Sequence, residues 1–539
     1  MKKIIFLLLL NLLLFSCARV GAPNGGTRDS LAPKFLGSNI DTTRLNVSRT
    51  VKELRLDFDE YVMLKDFNKN FNVSPPIKKI KKVIPSNLAN KYVLIQWEDT
   101  LQANTTYNFN FGNAIVDNNE SNPLPYFNFA FSTGDKIDDL FVSGTVKDAM
   151  TLIKENQTAK DNKMVVGLYK AGENLDYKQK PDYITKVDEE NYFELNFLPK
   201  GEFVIIAFDD ENQNSVYDAG KEKVSFLKEK ITLDSTSVRG LKLKLYPSKK
   251  VVKYKESKAI NGGLLMTFEG NPETVDVKSL SEDLKDFKVT HAKRSDSVNI
   301  WFDAEKSNLG GTVSKQVKLS YFTPTISDTI SVSYKAVKDE FKLSNEAGNL
   351  IAPENNFVIN TSLPIENLNT SSWKLESDSI AQDFTAKISE KNPFKILVNS
   401  SFKPTKKYVL TIPKETVSSY YSSNDKSFQF QFEIDKPENY GSFTAVIKNK
   451  PTAKFWVELT NEKGEILYSQ FTNASEVSFK NLKPATYIAR IRVDNNGNGF
   501  WDEADFAQNI AAEDVYIFEK EINVRPLWEI KEDWELTNR

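Results

Sequence analysis

Two short stretches gather the side chains best suited to chemistry. Asp210, Asn212, Asn214 and Asp218 follow the spacing Asp-x-Asn-x-Asn-x3-Asp, and Asp494, Asn496, Asn498 and Asp502 repeat it. Oxygens at every second position of a tight loop can converge on one hard cation, for which Ca²⁺ is the natural choice. Two of the four ligands in each set are neutral amides, so a dissociation constant of about 10⁻⁴ to 10⁻³ M is expected. The competing reading is a turn whose Asn and Asp side chains cap their own backbone, and the sequence leaves both open.

Other chemistry is thin. One His and one Cys in 539 residues exclude a disulfide framework and a Cys/His zinc cluster, and leave a Ser-His-Asp or Cys-His hydrolase only if His291 carries it. His291 lies among polar residues and reads as a surface side chain, and no G-x-S-x-G is present. Asp57, Asp59 and Glu60 could pair as acid and base, but without a distant partner they read as solvated edge residues, and no catalytic residue is expected. Lys+Arg number 71 against 73 Asp+Glu, a net charge of -2, without the basic excess that nucleic acid requires. Lys78, Lys79, Lys81 and Lys82 decorate a solvated face or meet anionic lipid head groups.

The elements that must carry these residues are strands. Leu54–Phe58, Tyr92–Trp97 and Tyr107–Phe111 are short aromatic or β-branched runs between Pro, Asn and Gly turn signals, and no amphipathic helix exceeds two turns. The chain therefore reads as all-β, a tandem series of β-sandwiches. Internal repeats divide it further. Leu198-Pro199-Lys200-Gly201 leads through an apolar strand to the Asp210 loop, and Leu482-Lys483-Pro484-Ala485 leads at equal spacing to the Asp494 loop, giving two copies of one sandwich at 139–247 and 438–525. Phe402–Leu410 aligns with Leu101–Phe109, pairing units at 31–135 and 340–436. Segment 248–338 is a further sandwich, 17–30 a flexible tether, and 526–539 an aromatic tail that packs back or docks on a partner.

Several segments resemble known families. Leu56-Asp57-Phe58-Asp59-Glu60-Tyr61, Leu101 to Tyr107, Asp117-Asn118-Asn119-Glu120 and Phe131-Ser132-Thr133-Gly134 together resemble the bacterial Ig-like domain, of the S-layer type, found in Bacteroidota lipoproteins. The repeated sandwiches resemble transthyretin-like, carboxypeptidase-regulatory-like or collagen-adhesin B-type domains. The Asp/Asn spacing is similar to the first half of an EF-hand loop, without its flanking helices or distal Glu. At the N-terminus, Lys2 and Lys3 precede the apolar run Ile4–Phe15, too short to span a bilayer, and Leu14-Phe15-Ser16-Cys17 resembles a lipobox. This resemblance implies a signal peptide at 1–16, lipidation of Cys17 and, with Ala18 following, sorting to the outer membrane. It leaves open which face of that membrane the protein occupies, the cell surface being preferred.

Asp-Ser or Asp-Thr triplets at Ser30, Thr42, Thr100, Ser235, Ser297, Thr329 and Ser379 resemble the O-glycosylation sequon of exported Bacteroidota proteins. The expectation is a non-enzymatic, lipid-anchored interaction scaffold, with an outer-membrane β-barrel complex for assembly or export as partner and no nucleic acid. The alternative is a glycan- or peptide-binding module using exposed Trp301, Trp456, Trp501 or Trp528.

Overall fold

The computed structural model describes residues 29–152, 163–172, 175–337, 340–346 and 348–536. Strands dominate it, and the one α-helix among these residues, Phe67–Asn70, has four residues. The sheets pair into sandwiches, each with its own apolar core, because alternating strands bury one face and wet the other.

The first sandwich sets the sheet Phe35–Ser38, Glu53–Leu64, Asn90–Trp97, Ile80–Ile84 against Asn72–Ser74, Thr106–Gly112 and Phe127–Ser132. Glu53–Leu64 shows the logic: Leu54, Leu56 and Phe58 are buried while Arg55 is exposed. The aligned segments of the first and fourth sandwiches share a tie that local propensity does not reveal. The Tyr107 hydroxyl accepts from Gln102 N–H at 2.8 Å, and the Tyr408 hydroxyl accepts from Lys403 N–H at 2.8 Å.

The second and fifth sandwiches have one topology. In the second, Leu140–Asp148 lies between antiparallel Tyr192–Leu198 and parallel Val238–Leu245, facing a sheet ordered Tyr183–Lys186, Met164–Lys170, Gly201–Asp209, Val224–Phe226. In the fifth, Gly441–Lys448 lies between antiparallel Glu476–Leu482 and parallel Glu529–Glu535, facing Ile466–Thr472, Phe455–Thr460, Ala485–Val493 and Val515–Ile517. The segment read as an aromatic tail is thus the last strand of the fifth sandwich, and Trp534 packs in its core against Phe518 at 5.3 Å. Its charged surface residues, Glu529, Lys531, Asp533 and Glu535, obscured the period-two pattern that buries Trp534.

The sandwiches are fastened to one another. Ile184 N–H donates to Ser74 Oγ between the first and second, and Trp301, buried, packs on Phe394 at 6.0 Å between the third and fourth. The fifth returns to the second. Ala504 and Phe506 join a cluster with Val165, Tyr169, Ile206, Phe208, Tyr217 and Phe226 on the outer face of the second sandwich. Phe506 is held by Tyr177 at 4.3 Å, Phe226 at 5.1 Å and Tyr217 at 5.9 Å. Backbone bonds from Lys249 N–H to Ala504 O and from Ala504 N–H to Pro247 O complete the seam.

Candidate functional site: two matched loops

Each Asp/Asn loop leaves the end of a central strand, Gly201–Asp209 or Ala485–Val493, and turns back over its own side chains. Asp210 is buried; its two carboxylate oxygens accept from Asn214 N–H and Ser215 N–H, each at 3.0 Å. Asp494 is likewise buried and accepts from Asn498 N–H and Gly499 N–H, each at 3.0 Å. Asn212 and Asn496 accept from the N–H two positions on, at 3.0 Å in both loops. The sharp reversal needs left-handed backbone, which Gly497 and Gly499 adopt at φ 72° and 81°; the first loop imposes it on Gln213 and Ser215, at 59° and 62°.

The fourth position gathers the amides. Asp218 Oδ2 accepts from Asn212 Nδ2 at 2.5 Å and Asn214 Nδ2 at 3.5 Å. Asp502 Oδ2 accepts from Asn496 Nδ2 and from Asn498 Nδ2, the latter at 2.7 Å. All four predicted residues of each loop are therefore brought together. The loops differ in charge balance. Arg294, from the third sandwich, donates to Asp502 Oδ1 at 2.7 Å, pairs with Glu273 at 2.6 Å and lies 4.7 Å from the Phe500 ring centre. Burial pushes the Asp502 carboxyl up, but the Asn496, Arg294 and Asn498 donors outweigh it and hold it below the usual range.

Two residues escaped the sequence reading. Glu222 is buried behind the first loop, its oxygens accepting from Glu211 N–H at 3.1 Å and Asp218 N–H at 2.8 Å. Glu513 does the same in the second, accepting from Asn496 N–H at 3.2 Å and Asp502 N–H at 2.9 Å. A distal Glu is thus present in both, though it braces the loop backbone. Its spacing hid it: Glu222 follows Asp218 by four positions and Glu513 follows Asp502 by eleven. The insertion that lengthens the second gap carries Ala504 and Phe506, so a mismatch between repeats was the one signal for the docking element. Burial pushes the Glu222 carboxyl up to about 7 and raises that of Glu513. Among the described residues no three His, Cys, Asp or Glu side chains form a metal-holding group, so a cation here would rely on amide oxygen.

The remaining candidates are dispersed. Asp57 pairs with Arg55 at 2.8 Å, Asp59 accepts from Lys34 N–H at 2.8 Å, and His291 Nε2 meets Ser295 O at 3.0 Å. Burial and the neighbouring Asp117 and Asp59 charges raise the Glu60 carboxyl. Asp117 holds a turn together; buried, it accepts backbone N–H from Asn119, Glu120, Ser121 and Asn122 at 2.7 to 3.1 Å. Asn424, fully buried, braces the corresponding region of the fourth sandwich through Thr416 N–H and Val417 N–H.

Of the glycosylation candidates, Ser30, Thr42, Thr100, Ser235, Thr329 and Ser379 are exposed and Ser297 is half-buried. Lys78, Lys79, Lys81 and Lys82 are exposed. Trp456 stacks on Phe471 at 4.4 Å, Arg492 lies over both Trp456 and Trp501, and Trp528 lies under Arg525 with about half its surface exposed. Cys17 and the rest of residues 1–28 lie outside the described residues, and no helix among the described residues is long and apolar enough to cross a membrane.

Residues 29–133 match the family model of the bacterial Ig-like domain. No curated protein matches the chain significantly. Among solved structures, the chain is similar to the S-layer protein rSbsC at 12% identity, over 92% of this chain and 67% of that one, with a TM-score of 0.15. The mixed-linkage glucan locus protein SGBP-B of Bacteroides ovatus, solved with a heptasaccharide, is 9% identical over 72% of this chain and 97% of its own, with a TM-score of 0.20. The Bacillus anthracis TIE protein is 11% identical over 96% and 76%, with a TM-score of 0.13. Scores this low carry no argument about function, so what is shown is an Ig-like domain at the head of a series of β-sandwiches.

Proposed function

We propose that the protein is a lipid-anchored outer-membrane lipoprotein that works by contact, as a scaffold subunit of an outer-membrane protein assembly or export complex. The observation that supports this best is the return of the fifth sandwich onto the second through Phe506 and its aromatic cage. A string of sandwiches on flexible linkers would lose its mutual geometry; fastened, it presents several faces in fixed relation, which lowers the ordering cost of engaging a large partner. Lipidation of Cys17 supplies the anchor, and acyl burial at about 0.8 kcal/mol per methylene makes it durable. The partner proposed is a β-barrel complex, with no nucleic acid and no catalysis.

Cross-linking and mild-detergent purification from intact cells test this reading. A β-barrel protein co-purifying with the wild type supports the scaffold. Retention on polysaccharide with no protein partner supports the glycan module, for which Trp528 and Phe471 are among the exposed aromatic surfaces.

The two loops are proposed as weak Ca²⁺ sites, with the first favoured. Arg294 already neutralises Asp502, whereas the Asp218 side chain is met by two amides. To present oxygen to a cation, Asn212 and Asn214 would have to release the Asn214 N–H and Val216 N–H that their amide oxygens now hold.

A further inference from the structure

The two copies of the repeated sandwich differ in charge beside their loops. In the second, Lys163 O accepts from Asp210 N–H, and the Lys163 side chain pairs with Glu211 at 2.7 Å. In the fifth, Lys454 O accepts from Asp494 N–H in the same way, but Asn495 stands where the paired glutamate would be. Lys454 is exposed and makes no ion pair among the described residues. Its Nζ lies 5.7 Å from the ring centre of Phe471, which is 44% exposed and stacks on Trp456 at 4.4 Å. Strand register sets Phe471, Trp456 and Arg492 side by side on the outer face, where the second sandwich has Lys186, Val165 and Phe208. Glu458 accepts from Arg492 Nε at 3.0 Å and from Nη2, leaving Nη1 without a hydrogen bond among the described residues. Glu458 also holds Arg490, so these three side chains carry one positive charge in excess.

A groove of about 460 Å³ is lined by Phe471, Lys454, Asn495, Asn496, Gly497 and Gly499. That volume suits a small ligand, for which sites of about 300–1,000 Å³ are usual. Asp494, the one acid in its lining, spends both carboxylate oxygens on the N–H groups of Asn498 and Gly499. A Cβ built on Gly497 or Gly499 would meet nothing within 4 Å, so the loop backbone there is open to an occupant. The groove thus offers an aromatic ring ordered by its stack, an unpaired ammonium, an amide side chain and bare backbone. An acidic sugar uses all four: its C–H face packs on the ring, its hydroxyls meet the amide and backbone, and its carboxylate pairs with the ammonium. An acidic peptide supplies the charge without the flat face, and a neutral sugar leaves Lys454 unpaired.

We infer that this groove of the fifth sandwich binds a carboxylate-bearing saccharide, with a sugar ring on Phe471 and its carboxylate on Lys454. The inference is independent of the scaffold reading and holds whether or not a β-barrel partner co-purifies. Its test uses the chain from residue 17 onward with Cys17→Ser, titrated in chelator by calorimetry and tryptophan fluorescence. The probes are oligosaccharides of galacturonate, of mannuronate and guluronate, and of hyaluronan, with cellohexaose and hexaglutamate for comparison. At least one of the acidic oligosaccharides should bind with a sub-millimolar dissociation constant that rises with salt. Lys454→Glu and Phe471→Ala should each weaken that binding by about tenfold or more at an unchanged melting temperature. Lys163→Ala, at the matching lysine of the second sandwich, should leave it as it is. No binding of any acidic oligosaccharide at millimolar concentration overturns the inference. So does binding of cellohexaose or hexaglutamate as tight as that of the acidic sugars, or binding that both groove variants leave unaltered.

Discussion

Asp117 shows what one side chain can organise. Burial alone would push its carboxyl up, yet four backbone N–H donors outweigh that and hold it below the usual carboxylate range. A folded-state value below the unfolded one means that the stabilisation is present above the unfolded pKa and is lost as pH falls through the folded pKa. Asp117→Asn should therefore cost about 1–3 kcal/mol at neutral pH, the penalty for leaving buried donors poorly satisfied. Urea titrations at neutral and strongly acidic pH should show the gap between wild type and variant narrowing in acid. Glu222 has the opposite sign: its carboxyl, pushed up to about 7, keeps its proton longer folded than unfolded, so its contribution to stability falls as pH rises from the ordinary glutamate range to that value. The calcium proposal belongs to this scale too. Millimolar Ca²⁺ should raise the melting temperature; Asp218→Ala should abolish most of the rise and Asp502→Ala little of it. Equal melting curves with Ca²⁺ and chelator would leave the loops as turns.

The repeated element shows how much the sequence made legible. Strand class and the duplication were readable, because alternation and the Leu-x-x-x to Asp/Asn spacing depend on neighbours in sequence. The closing strand Glu529–Glu535 and the Phe506 dock were not, because each depends on a partner far along the chain, and the roles of Glu222 and Glu513, local to their loops, were hidden by their unequal spacing from Asp218 and Asp502. The two copies also diverge on one face, which only the structure reveals. The second sandwich offers Val165, Ile206 and Phe208 to the Phe506 dock, while the fifth has Trp456, Arg490 and Arg492 at the matching positions. There Glu458, fully buried, takes Arg490 at 2.7 Å and pairs with Arg492. Glu458→Ala should destabilise the fifth sandwich by about 3–5 kcal/mol, since it strands the buried Arg490 charge beside Arg492. A denaturation midpoint within error of wild type would show that these charges are hydrated after all.

Across the full chain, the dock ties the fifth sandwich back to the second. Phe506→Ala removes an aromatic ring from a filled cage and should cost about 3–5 kcal/mol of docking, splitting one thermal transition into two and expanding the chain in small-angle scattering. A single transition with unchanged dimensions would mean that the other contacts hold the arrangement alone. Cys17→Ala should release the protein from membranes or leave the leader uncleaved, and wild-type retention would rule out the lipid anchor. Function by contact from a fixed frame is decided by partner capture from cells carrying the wild type, Asp57→Asn, Asp59→Asn, Glu60→Gln or Phe506→Ala. One β-barrel partner should be retained, with full cellular function, by the wild type and the three carboxylate variants, and lost with Phe506→Ala. Loss of function in a single carboxylate variant whose abundance, folding and partner are intact would refute function by contact and point to catalysis.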